Sequence, residues 1–389
     1  HLASVGLSPE DFVFLENVIS PEQVPGVIEN LHSNSMLENK DSWQRVMIEK
    51  PFGTSLNTAI SLNKKISESL PEDKIFRIDH YLGKDMILNL TSIRFGNSIF
   101  EPLWSNHYID HVQISSSETL GVESRGGYYD KAGILRDMIQ SHILQVISLI
   151  CMEPPQTLDA SDVIDSKLEV LKSIRMYDEK SACSDIVLGQ YGEGQKSKNK
   201  MPGYRNEKNV PQNSITPTFV AMKLYVDNIR WKGVPFYIRA GKRLDERDFS
   251  ITIVYRKQNT VKNYREFESA LPDRLSIKIQ PYEGISIGLN VKGVGSDMPM
   301  QNVTLDCSKE CMCRQNSPEA YERLIAAVLE NNQGLFTRWD ELVYSWKFVE
   351  NIEKFLPLLN TNFPNYPAGS KGPSESFDLI ENDGRNWYI

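Results

Sequence analysis

The 389-residue chain lacks any continuous apolar run near the 18–20 residues that a helix needs to cross a bilayer, so no membrane partner is expected. It also lacks an internal repeat, a low-complexity tract and a Walker phosphate loop. Gly189, Gly192 and Gly194 stand in the wrong order for a dinucleotide fingerprint, and Gly284 to Gly295 lies in strand-like sequence. Cysteine is scarce and odd in number, at five, which excludes a disulfide scaffold and points to a reducing compartment, hence a cytoplasmic location. Residues 1–30 lack the charged and apolar regions of a signal peptide. Positive charge is in deficit too: 43 basic against 51 acidic residues, a net −8, argues against a general nucleic-acid binder. A local cluster of Lys, Arg and His could still hold an anionic substrate.

What is present is an ordinary globular composition, 40 % hydrophobic and 24 % charged, with length enough for two domains. Ser20-Pro21-Glu22 reads as a helix start. Residues 45–82 read as a βαβ unit. Arg45–Glu49 is a buried strand, Lys50-Pro51-Phe52-Gly53 breaks it, Ser55–Leu70 has helical spacing, and Lys74–Ile78 is a second strand. Parallel strands would leave Lys50, Asp79 and His80 on one edge of the sheet. From about residue 110, strands at 111–115, 219–226, 236–239, 251–255, 275–280 and 285–291 predict a large antiparallel sheet. Helices are expected at 134–150, 318–331 and 338–356. Residues 196–200 read as a mobile loop, and the tail from Asn360 as irregular. The fold class is therefore α/β plus α+β. A Rossmann-like portion is expected over 1–80, and a mainly antiparallel substrate-binding and dimerisation domain over 81–389.

Two constellations carry chemistry. Lys50, Asp79, His80, Tyr81 and Lys84 gather at strand ends, where open α/β sheets bind ligands, and the cations suit a phosphorylated substrate. A polar loop is the bland alternative. His142 sits on an apolar helix face, as either a hydrogen-bonded core residue or a general base set by a carboxylate. At 100° per residue, Asp137 lies roughly 140° away round the helix, so the orienting carboxylate must come from elsewhere, with Asp79 the leading choice. Arg239, Lys242, Arg243 and Arg247 form a basic turn after a strand at 234–238. A metal finds little support in His107 and His111. Cys307, Cys311 and Cys313 lack a fourth zinc ligand, so reduced thiols in a hairpin are expected.

Taken together, Ile48–Gly53, Arg77–Lys84, Arg125–Tyr128, Ile134–His142, Gly233–Phe236 with Arg239, Gly241, Lys242 and Arg247, Gln280-Pro281 and Pro318–Ile325 resemble the glucose-6-phosphate dehydrogenase family in order and content. The resemblance implies oxidation of β-D-glucose 6-phosphate at C1 to the lactone, with hydride passing to NADP, and assembly as a homodimer or homotetramer. It implies that His142 is the general base and that Asp79 orients it. His80, Tyr81 and Lys84 would hold the phosphate, and Lys50 would contact both sugar and nicotinamide. Glu118 and Asp137 would bind sugar hydroxyls, with Lys242 and Arg247 completing the pocket. The family's glycine-rich fingerprint is absent and His1 is the first residue, so a chain beginning part-way through the coenzyme domain, with weak NADP binding, is expected. Asp248 and Thr252 stand where some members carry basic residues for a second NADP. The alternative is a silent sugar-phosphate-binding or oligomerisation module.

Overall fold

The computed structural model describes residues 23–34, 44–196, 199–257, 270–292, 300–308, 320–359 and 362–389. The chain divides into two compact units, His1–Ile75 and Phe76–Ile389.

In the first unit, helix α1 (Val24–Ser33) carries Pro25 in its first turn. The expected start at Ser20 lies outside the described residues. Strand β1 (Val46–Ile48) is followed by α2 (Leu56–Ser67), whose Ala59, Leu62 and Ile66 are buried at helical spacing. Ser55 and Thr58 close its N-terminus as a reciprocal capping box. β1 pairs with β2 (Ile75–Arg77), the strand at which this unit ends.

In the second unit, helix α3 (Asp85–Phe95) leads to β3 (Ile109–Ser117). Helices α4 (Gly126–Ile134), α5 (Leu144–Cys151), α6 (Ala160–Ser173) and α7 (Glu179–Asp185) follow. Then come β4 (Ile186–Gly189), the short β5 (Tyr191–Gly192), and a hairpin of β6 (Gly194–Lys196) and β7 (Asn199–Met201) where a loop was expected. The sheet strands β8 (Phe219–Leu224), β9 (Phe236–Gly241), β10 (Asp248–Tyr255), β11 (Arg274–Gln280), β12 (Gly284–Lys292) and β13 (Met300–Ser308) come next. Helices α8 (Ala320–Leu329) and α9 (Trp339–Glu353), strand β14 (Tyr366–Pro367) and helix α10 (Glu375–Glu381) complete the described elements.

Eight strands form one sheet in the order β13-β12-β11-β10-β3-β9-β8-β4, antiparallel throughout except between β3 and β9. Alternate residues point one way. Val112 and Ile114, Ile238 and Ala240, Ile251 and Ile253, and Leu275 and Ile277 join the main core, together with Met138, Ile139 and Ile143 from the helical side. The helix from Glu123 to Cys151 is long and apolar enough to cross a membrane, but 83 % of its most apolar window is buried inside the protein, so its oiliness belongs to this core.

That helix is not the uniform α-helix the spacing predicts. Gly133 takes φ 64°, a left-handed conformation, and separates α4 from a π-helical turn over Leu135–Ile143. The tail is also more ordered than expected. β14 pairs in parallel with β5, and α10 buries Leu379 and Ile380. The basic turn is shifted as well: β9 runs on to Gly241, so Arg239 lies inside the strand, 2 % exposed, and donates to the Lys371 carbonyl. Burial pulls its pKa down to about 10.

Between α6 and α9, Lys167 and Glu341 form a fully buried ion pair at 3.0 Å, while the other Glu341 oxygen caps α9 through the Arg338 N–H. Removing one partner strands a buried charge. Lys167→Met should therefore lower unfolding free energy by about 3–5 kcal/mol in urea titrations, and Lys167→Met with Glu341→Leu should recover most of it. A neutral single variant would contradict this account.

Candidate active site

The site grows from the turn that follows β2. Ile78 bridges to Phe336, and Asp79 comes next, 3 % exposed. Its Oδ1 accepts the Tyr81 backbone N–H at 2.9 Å, a local side-chain turn that fixes the carboxylate. The same oxygen lies 2.5 Å from Nδ1 of His142, which is 1 % exposed. The two residues are 63 positions apart, so the carboxylate that faces His142 comes from a distant part of the chain. The α-helical angle expected between Asp137 and His142 does not hold. In π register residues five apart return to nearly the same face, so Asp137 and His142 are not 140° apart. Asp137 is instead engaged by Lys242, 3.3 Å away.

Aromatic groups fix the imidazole further. The Tyr81 ring stacks on it at 3.9 Å and 21°, and His80 meets it edge-on at 4.9 Å. Burial raises the pKa of the Tyr81 phenol, with Glu118, Asp79 and Asp137 adding to the effect and Ser116 working against it. Lys84, the residue capping α3, places Nζ over the Tyr81 ring at 3.9 Å.

A cavity of about 230 Å³ opens beside this cluster, lined by His80, Tyr81, Lys84, Ser116, Ser117, Glu118, Arg247, Asp248, Phe249 and Gln280. At one side Lys242 donates to Glu118 at 2.6 Å and faces Asp137. Burial works against the Lys242 charge, but Asp137 and Glu118 outweigh it and its pKa rises. The expected residues His80, Tyr81, Lys84, Glu118, Asp137, His142, Lys242, Arg247 and Asp79 are thus brought together in the second unit. Lys50 belongs to the first unit, in the turn after β1.

The sequence reading missed Ser116, Ser117, Phe249 and Gln280 as lining residues, because small polar and apolar strand residues carry no chemical signature. It also missed what α8 does. Arg323 donates to the Gly83 carbonyl at 3.0 Å and pairs with Asp85, while Tyr321 lies parallel to His80 at 6.4 Å. A Cβ on Gly83 would stand 2.7 Å from the Ala320 carbonyl oxygen, so this approach requires glycine. The tail clamps the site from behind: the Tyr366 hydroxyl donates to the Lys242 carbonyl at 2.8 Å. His111, weighed as a metal ligand, bonds Asp110 and Gln113 instead, and Cys311 and Cys313 lie outside the described residues.

Lys84 is the electrostatic anomaly. Burial, then repulsion from Arg247, lower its pKa to about 8, so an anion between the two would favour the charged lysine again. In an NMR titration of the lysine side chains, Lys84 should titrate near pH 8, and Arg247→Gln should move its midpoint upward. A midpoint in the ordinary lysine range, indifferent to Arg247, would contradict the assignment.

Comparison with known proteins agrees with this geometry. Residues 12–89 match the family description "Glucose-6-phosphate dehydrogenase, NAD binding domain", and residues 91–388 match "Glucose-6-phosphate dehydrogenase, C-terminal domain". The chain is 44 % identical to the glucose-6-phosphate 1-dehydrogenase of Bacillus subtilis over 95 % of its own length and 76 % of the relative's. It is 43 % identical to that of Chlamydia pneumoniae, over 94 % and 73 %. A glucose-6-phosphate dehydrogenase solved with its substrate superposes with a TM-score of 0.86 at 36 % identity, covering 96 % of this chain and 75 % of that one. The Mycobacterium avium enzyme gives 0.82 at 31 %, over 95 % and 75 %. With both family regions matched in order and the Asp79–His142 turn and helix intact, the chain belongs to the glucose-6-phosphate dehydrogenase family.

Proposed function

We propose that the cavity beside His142 is the glucose 6-phosphate site of an NADP-dependent dehydrogenase, and that the Asp79–His142 pair removes the proton from the C1 hydroxyl. Membership of the family makes the chain an NADP-dependent oxidoreductase that acts on glucose 6-phosphate. The single supporting observation is the 2.5 Å contact between buried groups. Asp79 Oδ1 already accepts the Tyr81 N–H, which favours an ionised, accepting carboxylate. The proton between the pair then sits on His142 Nδ1, leaving the Nε2 lone pair as the base. As Nε2 takes the hydroxyl proton, the imidazolium forms beside a carboxylate already in place.

The remaining residues divide by charge. Lys84, His80, Tyr81 and Arg247 surround the position suited to the phosphate, where a dianion also favours the charged form of Lys84. Glu118 and Asp137 accept from sugar hydroxyls, and Lys242 between them sets their orientation. For Lys50 the reading rests on its place in the Ile48–Gly53 run.

NADP supplies the hydride acceptor in this family. The described residues of the first unit do not fit its pyrophosphate. The β1–α2 turn carries a single glycine, Gly53, and the N–H groups of Thr54, Ser55 and Thr58 are taken up by the Ser55 and Thr58 hydroxyls rather than turned to an anion. The steps above are accordingly those of substrate and proton alone.

We also assign a homodimer or homotetramer, supported by exposed Leu289, Val291 and Leu305 on the outer β12–β13 hairpin. Light scattering giving only a monomer would remove that assignment. A cytoplasmic location rests on cysteine usage, and fractionation reads it directly. One relative, from Arabidopsis thaliana, is named chloroplastic.

His142→Asn should lower turnover, followed by absorbance of the reduced coenzyme, by two orders of magnitude or more. Glucose 6-phosphate binding by calorimetry should change little. Unchanged turnover would remove the base, and lost binding with intact folding would give His142 a substrate-holding role instead.

A further inference from the structure

Residues 385–388, near the end of the chain, lie as a strap against the side of the eight-stranded sheet that faces away from the main core. Arg385 donates to both oxygens of Asp110, at 2.7 and 3.1 Å, and to the Tyr237 hydroxyl. The Trp387 indole N–H donates to the Ser376 carbonyl at 2.9 Å, and Arg274 stands over the Tyr388 ring. The central contact is made by Gln113 on β3, 3 % exposed. Its Nε2 donates to the Asn386 carbonyl at 2.8 Å, and its Oε1 accepts the Tyr388 N–H at 2.9 Å.

That pairing fixes the protonation of a neighbour. A backbone carbonyl only accepts and a backbone N–H only donates, so the Gln113 amide has one possible orientation. Its Nε2 also lies 2.9 Å from Nε2 of buried His111. An amide nitrogen only donates, so this ring nitrogen has to accept. His111 is therefore neutral with its proton on Nδ1, 2.7 Å from Asp110 Oδ2. A second proton would set an Nε2–H against the amide NH2, donor against donor. Turning the amide over removes that clash but points its oxygen at the Asn386 carbonyl and its NH2 at the Tyr388 N–H. Protonated His111 thus conflicts with both strap bonds.

The groups around His111 leave it as the one that titrates near neutrality. Burial lowers its pKa, Asp110 opposes the shift, and Arg385 adds to it. Despite burial, bonds from His111 and Arg385 hold Asp110 well below the usual carboxylate range, and Tyr237 and Lys223 hold Asp383 down in the same way. Tyr237, on β9, meets the His111 ring edge-on at 5.6 Å, and burial pushes its phenol up. Arg385 is raised by its bond to Asp110 and stays charged. On β10, Val254 and Thr252 stand opposite His111 and Gln113, and neither ionises.

We propose that His111 is a proton-operated latch for the C-terminal strap, docked while the imidazole is neutral and released as it protonates. By linkage, a docked strap that weakens proton binding at His111 is itself loosened by that proton. Docking is complete above the ordinary imidazole pKa of about 6.5 and weakens as pH falls below it. The latch stands apart from the substrate assignment, since none of its residues lines the cavity beside His142.

Hydrogen exchange on the full chain tests this, read on the C-terminal peptide that contains Tyr388 and corrected for the intrinsic pH dependence of exchange. Between about pH 7.5 and about pH 5.5, protection of the Tyr388 amide should fall by about tenfold in wild type. His111→Gln keeps an acceptor oxygen to face Gln113 and binds no proton in this range, so its protection should hold over the same interval. Thermal melts at each pH establish that the rest of the fold persists. Constant protection in wild type, or an equal fall in His111→Gln, overturns the latch. Should His111→Gln fail to fold, an NMR titration of His111 in wild type decides. Its midpoint has to coincide with the loss of Tyr388 protection, and separate midpoints overturn the proposal.

Discussion

A carboxylate and an imidazole, both buried and 2.5 Å apart, set the terms for everything around them. Neither is tolerable alone in that position. An unpaired ionised carboxylate there would carry a desolvation penalty of several kcal/mol, and an unpaired imidazole N–H a smaller one. Paired, they define a tautomer, and the tautomer defines which nitrogen is basic. The Tyr81 N–H, the Tyr81 ring and the His80 edge act on this pair, and the cations are arranged beyond it.

The pair is held from two directions. Asp79 depends on a turn pinned by α8, where Arg323 binds both Gly83 and Asp85 and leaves space only for glycine at position 83. His142 depends on a helix with secured ends. Gly133 breaks the chain into π register on one side. On the other, buried Arg94 donates to the Leu149, Ile150 and Met152 carbonyls, and Trp104 and Trp231 donate to those of Ile150 and Cys151. Those carbonyls are the unsatisfied acceptors of a helix C-terminus, so the anchoring that closes the core also fixes the height of His142.

Much of this was legible in the sequence because it rests on local rules. Six sheet strands were visible as alternating or continuous apolar runs. Asp79 emerged as the partner of His142, although the angular argument for it assumed an α-helix and the chain adopts a π turn. Helix period is read from apolar spacing, and Leu135, Met138, Ile139 and Ile143 fit either period. Hydrogen-bond register depends on packing at Gly133, which spacing does not encode. The tail looked irregular because its Pro and Gly residues suppress periodicity, yet Tyr366 and Ala368 are buried in a satellite core, the Tyr366 hydroxyl donates to the Lys242 carbonyl and the Gly369 N–H donates to that of Arg243. Arg239 read as part of a basic turn because strand ends are hard to place in sequence, and the sheet carried it inside.

The account stands or falls on the tautomer of one ring. Nitrogen-15 NMR of the labelled chain at neutral pH, with His142 assigned through His142→Asn, reads both ring nitrogens directly. The account predicts a proton on Nδ1, shifted downfield by the Asp79 carboxylate, and a bare Nε2 whose signal changes when Asp79→Asn is introduced. A proton resident on Nε2, with Nδ1 bare and indifferent to Asp79, would contradict it.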